Sequence, residues 1–357
     1  MRYVLLLVTV LLFSSCVPQP VTPVVVLKYP DTWTPAPTAT NTPPLPTATL
    51  VVQHTPGPTP TRDPNLRILP SVPPSGIGVW LDTTTLSADM LQLIAPRAQI
   101  VVTNGVITAT QSANSSVLLG IDASKPNDLN PTLLSRFDGV LLDDANDLGA
   151  DALSSLSSRI APRLLLRSIE IPQAIAANAV TQTMTLGKGI DGVCYCNFLK
   201  APNSQPDQFG TEAEWLHDVQ TLAALSSNPN AVILTATRFP DDSAKDFDLM
   251  QGWLDYALSS YLLGMHNTHT FFGFQGKGAQ DFMAAQGIVA KIGRPLGELF
   301  HTNGLYQRRF TRGLALVNPT NETRAFAPSR SYVNINTAPI PQIKMPPHSG
   351  LILLLAR

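Results

Sequence analysis

The 357-residue chain carries 24 Lys and Arg against 25 Asp and Glu, a net charge of −1. A balance this close to neutral excludes a partner recruited by overall charge, nucleic acid first among them. The length exceeds one small domain, and the composition shifts sharply along the chain.

Residues 1–16 read as an export signal. Arg2 is followed by YVLLLVTVLLF, a run of signal-peptide length and too short for a comfortable membrane span. It ends FSSC, and Cys16 after two small residues resembles the lipobox of bacterial lipoproteins, with Phe13 where Leu is usual. The resemblance implies cleavage before Cys16, lipidation there, and a cell-surface protein held to a membrane. Residues 17–74 are Pro-, Thr- and Ala-rich, as in TWTPAPTATNTPPLPTAT, with little charge and no helical period. Such a segment buries too little apolar surface to offset the entropy of ordering, so it reads as a disordered stalk.

From residue 75 to 300 short apolar runs alternate with amphipathic ones. Strands are predicted at GIGVWLD (76–82), IVVTN (100–104), VLLGID (117–122) and GVLLDD (139–144). Four more follow at RLLLRS (163–168), GIDGVCYCNFL (189–199), AVILTATRF (231–239) and THTFFGF (268–274). Helices fall between them, at LSADMLQLIAPRA after Ser87, NPTLLSRF, LGADALSSLSSRI, IPQAIAANAVTQTM, TEAEWLHDVQTLAALSS and LMQGWLDYALSSYLLGM. Thr211 and Glu214 form the signature of a capping box. The loop 105–116 is too polar and short for a helix, so one helix is missing from the series. Eight apolar strands alternating with helices fit a (β/α)8 TIM-type barrel, with an open doubly wound sheet as the alternative. Residues 301–357 lack helical periods. LYQRRF, GLALVN, TRAFAP, YVNIN and GLILLLA, punctuated by NPTN and PPHSG, read as a small antiparallel β-sandwich.

The run DGVLLDD, the helix LDYALSSYLL before the last aromatic strand, and the tail PLGEL…YQRRFTRGLALVNPT…PPHSGLILL resemble glycoside-hydrolase-like (β/α)8 proteins with a small C-terminal β-domain. The resemblance implies hydrolysis of an O-glycosyl bond in a poly- or oligosaccharide outside the cell. A catalytically inactive carbohydrate-binding barrel is the alternative. Glycosidases generally need two carboxyl groups, about 5–5.5 Å apart when one is the nucleophile and about 6.5–9.5 Å apart when a water must fit between. The resemblance makes Asp143 the nucleophile or electrostatic stabiliser. Its neighbour Asp144 points to the other face of a strand and is suited to capping the next loop.

The same resemblance places the partner acid on the sixth strand, before an Asn-Phe pair, where this chain has Cys196. Asp82, Asp122 and Glu170, at the ends of other strands, are the substitute acids, and Asp82 and Asp122 also suit sugar hydroxyls. Arg238 could hold a carboxylated sugar or keep Asp143 ionised. Tyr195 and Phe239 are the aromatic candidates for stacking on a sugar ring. Cys194 and Cys196, two apart on a strand, would have Cα atoms roughly 7 Å apart with parallel side chains, so free buried thiols are expected rather than a bond. His266 and His269 have ligand-like spacing but no adjacent carboxylate, and no metal site is expected. With no phosphate loop or nucleophile elbow, no cofactor is expected either.

Overall fold

A computed structural model of the chain describes residues 69–70, 79–86, 98–107, 118–123, 129, 134, 137–142, 148–169, 189–199, 205–239, 247–275, 291–334 and 342–356. Eight parallel strands pair in sequence order: β1 Trp80–Leu86, β2 Ile100–Ile107, β3 Leu118–Ala123, β4 Gly139–Leu142, β5 Leu164–Ile169, β6 Gly192–Tyr195, β7 Val232–Arg238 and β8 Thr270–Gln275. A parallel bridge between Val79 and Phe272 joins the segment before β1 to β8. Three strands end elsewhere than the sequence suggests. β1 continues past Asp82 through Thr83–Thr85, and β2 continues to Ile107, so that Thr85 and Leu86 pair with Val106 and Ile107 beyond a register shift. The β-branched residues in both runs favour this extension into what the sequence presents as loop. β6 instead stops at Tyr195, and residues 196–199 turn.

Between the strands lie helices α1 Ala150–Ile160, α2 Glu212–Ser226 and α3 Phe247–Gly264. α2 begins at the expected capping box: the Thr211 side chain accepts from Glu214 N, and the Glu214 carboxylate accepts from Thr211 N at 2.7 Å. The helices anticipated at 86–98, 130–137 and 171–184 lie wholly or largely outside the described residues. Among those residues, no helix is long and apolar enough to cross a membrane.

The strands bury different side chains on each face, as their period of two requires. One face gathers Trp80, Ile100, Val102, Leu141, Leu164, Leu166, Cys194, Val232, Leu234, Ala236 and Phe271. Trp80 fills space that Gly273 leaves open, since a Cβ on Gly273 would stand 2.6 Å from its indole nitrogen. The indole N–H donates to Thr235 O at 2.7 Å. The other face packs Val193, Tyr195, Ile233, Phe272 and Phe274 against Trp215, Val219 and Leu222 of α2 and against Trp253, Ala257 and Tyr261 of α3.

The C-terminal segment adds β9 Phe300–Thr302, β10 Leu305–Phe310, β11 Gly313–Asn318, β12 Arg324–Phe326, β13 Tyr332–Asn334, β14 Ile343–Met345 and β15 Ser349–Leu355. Five form an antiparallel sheet in the order β13-β15-β11-β10-β9, and β12 pairs with β14. Leu305, Leu314, Leu316 and Leu353 of the larger sheet bury against Met345, with Phe326 and Ile343 packed alongside. Its opposite face, through Tyr306, Phe310, Ala315, Val317 and Ile352, covers α3. Arg308 is buried there: its Nε donates to Gly297 O at 3.0 Å, and Nη1 donates to Leu263 O at 3.0 Å and also reaches Met265 O. It thereby satisfies carbonyls that the C-terminal end of α3 leaves without intrahelical donors.

Candidate active site

Parallel strands all present their carboxyl ends on one edge of the sheet, so residues distant in sequence meet there if their register and parity agree. The pairing tests this strand by strand. Asp82 pairs with Val102, and Val102 with Gly120, two residues before Asp122. Asp122 in turn pairs with Leu141, whose next neighbour but one in sequence is Asp143. Ser168 pairs with Cys194, Cys194 with Leu234, and Arg238 with Gln275. Val102, Leu141, Cys194 and Leu234 all belong to the Trp80 cluster, so these positions run along one face of the sheet. Arg238 is exposed at the end of β7, and Gln275, at the end of β8, is buried. Asp143, Asp144 and Glu170 lie outside the described residues, as does Cys16.

Tyr195 and Phe239 belong to the opposite face. Each directly follows or adjoins a residue of the first face, Cys194 and Arg238, and alternation sends it the other way. Tyr195 is buried among the helix-packing residues, and its hydroxyl donates to Asp218 Oδ1 of α2 at 2.6 Å. Phe239 is buried with Phe274, ring centroids 6.1 Å apart. Neither offers the free stacking face expected of it; both fill the layer between sheet and helices.

Cys194 and Cys196 are joined by a disulfide. The expectation of free thiols fails because it assumed an unbroken strand. β6 ends at Tyr195, and the turn that starts at Cys196 brings the two Cα atoms to 5.3 Å, inside disulfide range. Cys194 is fully buried in the Trp80 cluster and Cys196 packs against it. A bonded Cys196 has no thiol proton to donate, so it cannot replace a carboxylic acid.

The turn 196–199 is held from two sides. Asp218 Oδ2 accepts from Leu199 N at 3.1 Å, and Leu199 sits at φ 64°. From β7, Ala236 O accepts from Phe198 N and the Thr237 hydroxyl donates to Phe198 O, both at 3.0 Å. Burial pushes the Asp218 carboxyl up to about 6, opposed by the hydrogen bonds from Tyr195 and Leu199 and aided by nearby Glu214. Burial, and then the Asp218 charge, push the Tyr195 phenol far above its ordinary value. Asp218 was not among the sequence candidates, although the sequence carries a signal for it. Trp215, Asp218, Val219, Leu222 and Leu225 lie on one helical stripe, and all are buried. A carboxylate on that stripe has to find donors inside the protein.

His266 and His269 engage separate partners. His266 Nε2 lies 3.6 Å from the Glu298 carboxylate, and His269 Nδ1 is 2.6 Å from Pro70 O. Among the described residues no three His, Cys, Asp or Glu side chains gather in a metal-binding group.

A sequence profile described as hypothetical glycosyl hydrolase family 15 matches residues 132–314, 183 of the chain's 357 residues. No protein of curated function matches the chain. Solved structures with a similar arrangement include Amy13B of Eubacterium rectale, 9% identical, covering 81% of this chain and 97% of that one at a TM-score of 0.45. SrfJ of Salmonella typhimurium is 9% identical over 81% of this chain and 91% of its own, at 0.42. A GH128 endo-β-1,3-glucanase of Amycolatopsis mediterranei, solved with laminaritriose, is 9% identical over 60% of this chain and all of its own, at 0.38. At these scores no functional reading rests on them.

Proposed function

Because the chain belongs to hypothetical glycosyl hydrolase family 15, we propose that it is a carbohydrate-active protein whose site lies at the carboxyl ends of β1–β8, with the sheet closed into a (β/α)8 barrel. The observation that carries this reading is the register. Asp122 pairs with Leu141, Asp82 is level with Gly120 two residues earlier on β3, and Asp143 follows Leu141 by two in the sequence. In this reading residues 75–300 are the barrel, 301–357 a β-sandwich, and 17–74 a stalk from a membrane anchor at Cys16. The protein then acts outside the cell on a poly- or oligosaccharide.

In hydrolysis, Asp143 supplies the negative charge that meets the developing oxocarbenium ion, either as nucleophile or as electrostatic stabiliser. The leaving oxygen takes its proton from Asp82, Asp122 or Glu170. Arg238, exposed at the same edge, favours the ionised form of a neighbouring carboxylate or a carboxylated sugar. A second reading, a barrel that binds glycan without cleaving it, is supported by one specific observation. Cys196, at the position where the family resemblance puts the acid, is consumed in a disulfide.

A polysaccharide screen with reducing-sugar detection separates the two, run on the wild type and Asp143→Asn. Sugar release by the wild type and none by the variant supports hydrolysis. Retention on insoluble glycan with no release by either protein rules hydrolysis out in favour of binding.

A further inference from the structure

The near-zero net charge conceals a division. Residues 291–357 hold nine Lys and Arg but only two Glu and no Asp, a net of +7, while residues 1–290 carry a net of −8. Within the C-terminal segment the exposed cations are gathered by backbone pairing. Residues 292–296 run along the end of β10: Leu296 N donates to Arg309 O, Thr311 N to Arg294 O and Arg312 N to Ile292 O, all within 3.0 Å. Leu355 N donates to Arg312 O and Ala356 N to Ser331 O, which brings Arg330 to the same end of the sheet. Lys291, Arg294, Arg309, Arg312 and Arg330 are all exposed there. Among the described residues no carboxylate lies within 4.0 Å of any of the five. Glu298, the nearest acid in sequence, is 3.6 Å from His266, and Glu322 pairs with Arg324 at 2.9 Å.

We propose that this basic end of the C-terminal sheet is a docking surface for an anionic polysaccharide bearing carboxylate groups. The choice of polymer rests on the carbohydrate reading above. Like charges collected with no counter-charge among the described residues repel one another, and an oxyanion partner relieves that repulsion. Four of the five are Arg, whose rigid planar fork matches a carboxylate in two parallel hydrogen bonds. The patch lacks what other polyanions use. Binding to unpaired nucleic-acid bases needs open aromatic faces, and the Phe300 ring here is covered by the Arg309 guanidinium at 5.6 Å. A bilayer surface adds apolar insertion to charge for firm binding, and Leu296 is the single exposed large apolar side chain among these described residues.

The test uses the full chain in affinity electrophoresis through polygalacturonate and through a neutral β-glucan. Binding to polygalacturonate should weaken steeply with added salt. R294E/R309E/R312E should weaken it at least tenfold, and the Gln triple R294Q/R309Q/R312Q at least threefold, with circular dichroism unchanged. R159E/K344E, exposed positions outside the patch, should bind as the wild type does. Equal binding by the wild type and both triple variants would overturn the proposal, as would tighter binding to phosphatidylglycerol vesicles or to a single-stranded oligonucleotide. Asp143→Asn should retain polygalacturonate binding, so a failure of the hydrolysis assay and a failure here are separate results.

Discussion

The parallel sheet β1–β8 and the antiparallel sheet of the C-terminal segment handle polar groups differently. Strands β4–β8 bury side chains on both faces, and two polar groups there have fixed partners, Tyr195 in Asp218 and the Trp80 indole in Thr235 O, while the buried hydroxyls of Thr221 and Ser259 have no hydrogen-bond partner among the described residues. The antiparallel sheet buries one large cation, Arg308, where it serves the end of α3, and leaves five others at one open end. A buried polar group has lost its water, so a fixed partner offsets a cost that an exposed group does not bear. A sheet with an open end can hold unpaired charge there at small cost. Buried polar groups therefore report on architecture in this protein, and exposed unpaired ones on partners.

Three substitutions would break or sharpen that contrast. Arg308→Met should cost most, on the order of 4 kcal/mol, because the carbonyls of Gly297, Leu263 and Met265 lose a buried donor. Urea denaturation measures it, and a loss below about 1 kcal/mol would mean that water replaces the guanidinium there.

Next is Asp218, whose effect depends on pH. Its folded-state value, raised to about 6 from 3.8, means that the uncharged form suits the folded protein better. The stability it contributes is fully present below 3.8 and is lost as pH rises through about 6. Relative to Asp218→Asn, the wild type should lose on the order of 3 kcal/mol between those limits. Parallel denaturation curves at both ends of the window test this, and a pH-independent difference would contradict it.

The smallest effect is expected at Trp80. Trp80→Phe removes the N–H that Thr235 O accepts and leaves a small void beside Gly273, costing about 1–2 kcal/mol by thermal denaturation. No measurable loss would indicate that this face of the sheet is hydrated rather than packed.

Much of the fold is legible in the sequence because it follows from local rules. Apolar runs such as RLLLRS and AVILTATRF lead to β5 and β7, and the Thr211–Glu214 spacing marks the start of α2. The site is less legible. Alternation applied to Tyr195 and Phe239 already excludes both from the face that carries Cys194 and Arg238. That the strand stops one residue before Cys196, and so permits a disulfide, depends on how the turn 196–199 is held by α2 and β7.

The sequence by itself determined the chain order of the eight parallel strands, the polar and apolar rhythm of the helices, and the gathering of positive charge after residue 290. All of these depend on near neighbours or on composition. Only the tertiary structure decided the register that pairs Asp122 with Leu141, that Asp218 is the partner of Tyr195, and that the two cysteines are bonded. Those depend on register and on where a strand ends, and both are set by contacts between segments far apart in the chain.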